Sequence, residues 1–280
     1  MDFEELLDHC VQELSSEIPL RERIQLITML GWADDRRTYP LLIKALADET
    51  TQEYAVNALA QSKDSRGLFP IVNLFNQTTN PVIQQRILQY MYETRDPRAE
   101  DFLQSYKSDT HKPYLDIAEH ALKSCVGNTD FVYRYAGSDQ SFRHAQSATG
   151  QIVVTNEQLS YNEKVLEENQ RGVQAQKPQT FIVDAQGVMY IGGLLNEHVE
   201  VAHGNDVRAA GEVIFVKSEI GWKVEYINNR SNSYYPHLSS FIWAKQYLER
   251  ASVHCLKQKY DETFPRGGFN DPEFLELFKI

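Results

Sequence analysis

The chain has 280 residues, of which 42% are hydrophobic and 24% charged, and its net charge is −11. That length suits two globular domains and that composition is ordinary for them. Three cysteines set far apart exclude a disulfide framework or a zinc cluster, no apolar run approaches the roughly 20 residues of a bilayer span, and the acidity disfavours non-specific binding to nucleic acid.

The acidity is shared by both halves. Up to Cys125 there are 13 Lys and Arg against 20 Asp and Glu; from Val126 onward there are 15 against 19. Met1 leads into Asp-Phe-Glu-Glu, which is not the start of a signal peptide. The expectation is a soluble, cytoplasmic protein that binds neither nucleic acid nor membrane and needs no cofactor.

Residues 1–125 carry helical periodicity. Three short turns recur in them: Asp35-Arg36-Arg37, Asp64-Ser65-Arg66 and Asp96-Pro97-Arg98. Each has the pattern Asp-x-Arg, at spacings of 29 and 32, and five residues before each Asp stands Leu30, Leu59 or Met91. An apolar helical stretch precedes each turn and another follows it. Self-similarity at a period near 30 predicts an α-solenoid, in which no helix pair can bury its apolar stripe until a neighbour stacks on it. The Asp of each turn is placed to cap the backbone N–H groups that follow, and the Arg to reach the neighbouring turn. Asn80-Pro81 and Lys112-Pro113 read as helix starts.

Val126 to Asp130 reads as a linker with Gly127 as a helix stop. The expected domains are therefore 1–126, all helical, and 127–280, smaller and α+β with a mainly antiparallel sheet. In the second domain FVYRYAG is β-like, and Gln151–Thr155 is a strand candidate. Residues 157–171 read as a polar helix. Phe181–Asp184 and Val188–Gly192 flank a tight turn, which argues a hairpin. Ala210–Val216 and Trp222–Asn229 are further strands. Leu238–Lys259 and Pro272–Phe278 are predicted helices.

Leu30-Gly31-Trp32-Ala33-Asp34-Asp35-Arg36-Arg37 resembles the turn of short bacterial HEAT-type repeats, with one extra residue, and the resemblance covers residues 18–125. The second and third repeats have Ala60 and Tyr92 where the pattern has Gly. The resemblance implies a helical array that binds another protein on one of its faces.

A second resemblance covers about 55 residues. The segment His198-Val199-Glu200-Val201-Ala202-His203-Gly204-Asn205-Asp206-Val207-Arg208-Ala209-Ala210-Gly211, then Ser231-Asn232-Ser233-Tyr234-Tyr235-Pro236, resembles the C-terminal region of plant calmodulin-binding IQ-motif proteins and related bacterial and fungal proteins. The chain departs from that pattern at Val199, Glu200, Asn205 and Ser233, and it has no IQ motif, so calmodulin is not an expected partner.

These patterns nominate His198, Ser231 and Tyr234 as catalytic candidates: an imidazole as general base and two hydroxyls as donors. Gly211, in what reads as a turn with Ala209 and Ala210, would let a backbone come close, and Arg134 on a strand would hold a ligand. The competing reading is structural, with His198 tying a loop to a carbonyl, Tyr234 packed at the sheet edge and Arg134 paired with a carboxylate. His198, His203 and His237 lack metal-ligand spacing, so no metal is expected. The leading functional expectation is a protein-interaction scaffold or adaptor. The alternatives are an enzyme or lapsed enzyme of transferase or hydrolase type around His198 and Tyr234, and a bacterial effector or toxin-neutralising protein.

Overall fold

The computed structural model describes residues 3–14, 18–33, 35–137, 139–146, 152–153, 178–192, 196–219, 221–251 and 254–255. The expected helices at 157–171 and 272–278 lie outside them. The chain divides into two compact units, with the change from one to the other between Asn128 and Thr129.

The first unit is helical. Its helices are α1 (Phe3–Leu14), α2 (Leu20–Trp32), α3 (Thr38–Leu46), α4 (Gln52–Ser62), α5 (Leu68–Gln77), α6 (Pro81–Thr94), α7 (Glu100–Ser108) and α8 (Leu115–Cys125). Helix α2 packs on α4, α4 on α6 and α6 on α8, while α3 and α7 pack back on the helices that follow them. Ile27, Leu30, Leu59, Ile87 and Met91 are sealed between the stacked helices. Gly31 allows the first of these contacts, because a Cβ there would lie 2.7 Å from the Ala58 Cα. Asn80 caps α6 by accepting from the Val82 N–H, with Pro81 in the first turn. Pro113 falls just before α8, which starts at Leu115 behind the left-handed Tyr114.

The three Asp-x-Arg turns share one design. The Asp35, Asp64 and Asp96 carboxylates accept the backbone N–H of Arg37, Arg66 and Arg98 at 2.8, 3.0 and 2.9 Å. Each Arg closes back on its own Asp, at 2.7, 2.6 and 2.6 Å. The second and third also reach the preceding turn: Arg66 donates to the Arg36 carbonyl at 3.2 Å and Arg98 to the Ser65 carbonyl at 2.5 Å. Asn128 continues the series by donating to the Arg95 carbonyl at 2.7 Å. The later pairs are buried, and the guanidinium groups lie over the Tyr39 and Phe69 rings at 4.2 and 5.0 Å. At the more open first turn, Arg37 holds the Asp35 carboxyl below its ordinary pKa.

The second unit is built on a six-stranded sheet: β1 (Ile152–Val153), β2 (Gln179–Asp184), β3 (Met189–Ile191), β4 (Val207–Ser218), β5 (Gly221–Ile227) and β6 (His254–Cys255). The spatial order is β1-β3-β2-β4-β5-β6, antiparallel throughout except for the β5–β6 pair. The β2–β3 hairpin turns at Gly187, where φ is +81°, and the Asp184 carboxylate accepts from Gln186 and Val188. Among the described residues three helices accompany the sheet: α9 (Asp139–Gln146), α10 (His198–Val201) and α11 (Phe241–Arg250). Alternate residues divide between two cores. Phe181, Val183, Ala209, Val213 and Phe215 pack with Phe241, Ala244 and Leu248 of α11. Ile182, Val207 and Ala210 pack with Tyr133, Tyr135, Ala145, Tyr234 and the Val199, Val201 and Ala202 side chains at α10.

The described architecture is thus α+β, with a mainly antiparallel sheet. Four details differ from expectation. FVYRYAG forms a single bridge, Tyr133 to Val207, rather than a strand. The helix expected to run from Leu238 to Lys259 ends at Arg250, and β6 follows it. Two helices, α9 and α10, stand where none was expected. Gly211 lies inside β4 rather than in a turn. No helix among the described residues is long and apolar enough to cross a membrane.

Candidate functional site

His198 opens α10, and a reciprocal cap fixes that helix start. The Glu197 side chain accepts from the Glu200 N–H, while the Glu200 carboxylate accepts from the Glu197 N–H at 3.0 Å. Glu200 also accepts from the Asn196 amide at 3.1 Å, and the Asn196 carbonyl accepts from Thr180 of β2 at 2.9 Å. These contacts anchor the loop to the sheet and set the imidazole against β4.

The His198 Nε2 lies 2.9 Å from the Gly211 carbonyl oxygen. A carbonyl can only accept, so Nε2 carries the proton and Nδ1 the lone pair. Some surface of the residue stays accessible, but protein packs round its ring. Burial pushes its pKa down to about 4, against a smaller opposing effect of the bond to Gly211. The imidazole is therefore neutral at pH 7.

Gly211 is forced to be glycine by its other neighbour. A Cβ there would run into the Asn228 carbonyl oxygen and come within 2.9 Å of the Phe181 ring. Asn228, just past β5, is itself a hub. Its Oδ1 accepts from the Glu212 and Arg230 N–H groups at 3.0 and 2.9 Å, and its Nδ2 donates to the Glu212 carboxylate at 2.7 Å. Sequence reasoning missed Asn228, and it met Glu212 only as a rejected metal ligand. The signal available was the pair Asn228-Asn229 at a strand end, where a side-chain amide can stand in for the lost ladder.

The other candidates go elsewhere. Tyr234 is buried and its hydroxyl donates to the Asn205 carbonyl at 2.9 Å, fastening the loop after α10. Ser231 is buried, its carbonyl accepts from Tyr235 N–H at 2.9 Å, and its Oγ has no hydrogen-bond partner among the described residues. Arg134 stands 3.6 Å from the Asp206 carboxylate. His203, with φ at +51°, meets the Ala145 carbonyl through Nδ1 at 3.3 Å. His237 caps the 3-10 turn Leu238–Ser240.

The structure thus joins His198 to Gly211 and sends the Tyr234 hydroxyl to a different carbonyl. Among the described residues no group of three or more His, Cys, Asp or Glu is placed to hold a metal ion. An imidazole that gives its only proton to a backbone carbonyl and stays neutral can tie a loop to a strand; Nδ1 alone is left for base chemistry.

No family model matches the chain, and no curated protein matches it.

Proposed function

We propose that the protein is an interaction scaffold, with residues 18–125 forming a HEAT-type array that binds a protein partner and the α+β unit recognising a second ligand or partner. The observation that carries this reading is the exposure of Trp32, 73%, with Met29 three positions earlier on α2 at 42%. Two large apolar side chains one helical turn apart make a small exposed apolar patch, and contiguous patches of this kind mark interaction surfaces more often than lone exposed residues do. Leu20, Tyr54, Val82 and Tyr92 on α2, α4 and α6 are exposed as well, as are Val126 after α8 and Ile242 on α11. The buried Asp64–Arg66 and Asp96–Arg98 pairs fix the turns after α4 and α6, while the turn after α2 is the open Asp35–Arg37 one. The structural uses of His198 and Tyr234 weigh against the catalytic alternative.

The test is capture by the intact, immobilised protein. Partners recovered with the wild type should be lost with Trp32→Ser combined with Met29→Ser, and kept with His198→Gln. Recovery that ignores the double substitution sinks the proposal, as does a turnover activity that disappears with His198→Gln.

A further inference from the structure

Lys63 and Arg95 hold the same place in successive repeats, one residue before the Asp of the second and third turns. They end α4 and α6 in the left-handed conformation, where glycine is at home and a Cβ adds strain. Both are exposed, and neither side chain has a hydrogen-bond or ion-pair partner among the described residues. Other cations of the helical unit are committed. Arg37, Arg66 and Arg98 close on the Asp of their own turns, and Arg23 and Arg86 lie 3.0 and 3.5 Å from Asp48 and Glu53. A helix C-terminus favours a positive charge, but that charge can sit on any residue of the last turn and does not call for left-handed backbone. After α8 the left-handed residue is Gly127, which carries no such strain.

The stacking of the turns sets the two cations side by side. Helix α4 packs on α6, Arg98 of the third turn reaches the Ser65 carbonyl of the second, and the Arg95 carbonyl itself accepts from Asn128. Packed helices lie about 8–10 Å apart, which sets the scale of the separation between the two charges. Exposed aromatic rings stand at the same helix ends, Trp32 closing α2 and Tyr92 three residues before Arg95 on α6. The Asp64 and Asp96 carboxylates are buried under their own arginines and face away from solvent. The exposed acid beside Tyr92 is Glu93; Glu100 and Asp101 open α7, in the other layer of helices.

We propose that Lys63 and Arg95 together bind an acidic peptide segment of a partner protein, through two carboxylates about 10 Å apart, with an aromatic or apolar residue of that segment laid on Tyr92. This deepens the scaffold reading, on which it rests, by giving the partner a chemistry. Backbone strain of this kind is kept where function uses the side chain that bears it. A peptide fits better than nucleic acid. Up to Cys125 there are 13 Lys and Arg against 20 Asp and Glu, so a long polyanion is repelled along its length, whereas a short segment meets only these helix ends.

Binding of a fluorescent random copolymer of Glu and Tyr to the full-length protein tests it, with oligothymidylate as the competing polyanion. The copolymer should bind, and more weakly as salt rises. Lys63→Gly combined with Arg95→Gly should weaken it about tenfold, the scale of two exposed ion pairs lost together. Glycine suits the left-handed backbone, so this loss should come with no fall in the thermal midpoint. Lys63→Gln combined with Arg95→Gln, which keeps each Cβ and removes only the charge, should weaken binding as much. Equal binding by both double variants overturns the proposal, as does a copolymer that fails to bind the wild type. So does oligothymidylate bound as tightly as the copolymer. If partner capture is still lost with Trp32→Ser and Met29→Ser while these results go against the cations, the scaffold reading stands and only the acidic segment falls.

Discussion

The Arg98 guanidinium sits between two partners 31 residues apart in sequence, the Asp96 carboxylate at 2.6 Å and the Ser65 carbonyl at 2.5 Å. All are buried, so the pair is an internal brace rather than a surface ornament. Loss of the cap alone would cost about 0.5–2 kcal/mol. Asp96→Ala also strands a buried guanidinium, so the expected loss is about 3–5 kcal/mol by chemical denaturation. Arg98→Met with Asp96→Ala should cost less than the sum of the two single changes, because the double variant buries no lone charge. Strict additivity would show that the two side chains do not act as a pair.

Lys63 and Arg95 end α4 and α6 in the left-handed conformation, with φ of +49° and +54°, and Gly127 takes φ of +67° two residues after α8. The left-handed region costs a residue with a Cβ about 1–2 kcal/mol, and glycine escapes this at an entropic cost of roughly 0.5–1 kcal/mol. Lys63→Gly and Arg95→Gly should therefore stabilise the helical unit, each by up to about 1 kcal/mol. Thermal melts with a lowered midpoint for both would show that the cations contribute more at these helix ends than strain removes.

Much of the helical unit was legible because its signal repeats. Asp64 and Asp96 cap their turns and their arginines reach back one turn, because spacing alone dictates that geometry once helices stack. The β2–β3 hairpin was legible from Asp184-Ala185-Gln186-Gly187, whose chemistry is local. The site was harder. Gly211 reads from the sequence as a turn glycine that lets a backbone come close; the close approach is there, but inside β4, and which backbone comes near depends on the β4–β5 register, a long-range fact. Helix α10 has only four residues and its apolar pattern is too short to show a period. The destination of the Tyr234 hydroxyl could not be read from its neighbours at all, since Asn205 lies 29 residues away.

Gly211→Ala should be among the most damaging single changes in the second unit. The added methyl meets the Asn228 carbonyl, which is held in place by the Asn228 N–H bond to the Glu212 carbonyl at 2.9 Å. Neither backbone can give way without breaking the β4–β5 register, so a loss of about 3 kcal/mol or more is expected. Ala209→Gly, in the same strand, should cost only about 1 kcal/mol. Similar urea midpoints for the two variants would contradict the close approach.

His198 makes stability depend on pH in a direction that follows from its environment. Its pKa is about 4 in the folded protein and 6.5 in the exposed reference state. Below pH 6.5 the unfolded chain takes up a proton that the folded one refuses. The contribution of this group is therefore fully present above pH 6.5, falls as pH drops from 6.5 towards 4, and changes no further below that. Each pH unit in the window costs about 1.4 kcal/mol at most, so the whole effect is on the order of 3 kcal/mol, of which about 2–3 kcal/mol is lost by pH 4.5. His198→Gln keeps a donor for the Gly211 carbonyl and removes the titration. Urea unfolding at pH 7.5 and pH 4.5 should show the wild type losing about 2–3 kcal/mol more than the variant. Carboxylates and the other histidines titrate in both proteins and cancel in the difference. Parallel losses in the two proteins would mean that the folded state accepts the proton at His198, and that the imidazole is open to solvent or to a ligand rather than committed to the Gly211 carbonyl.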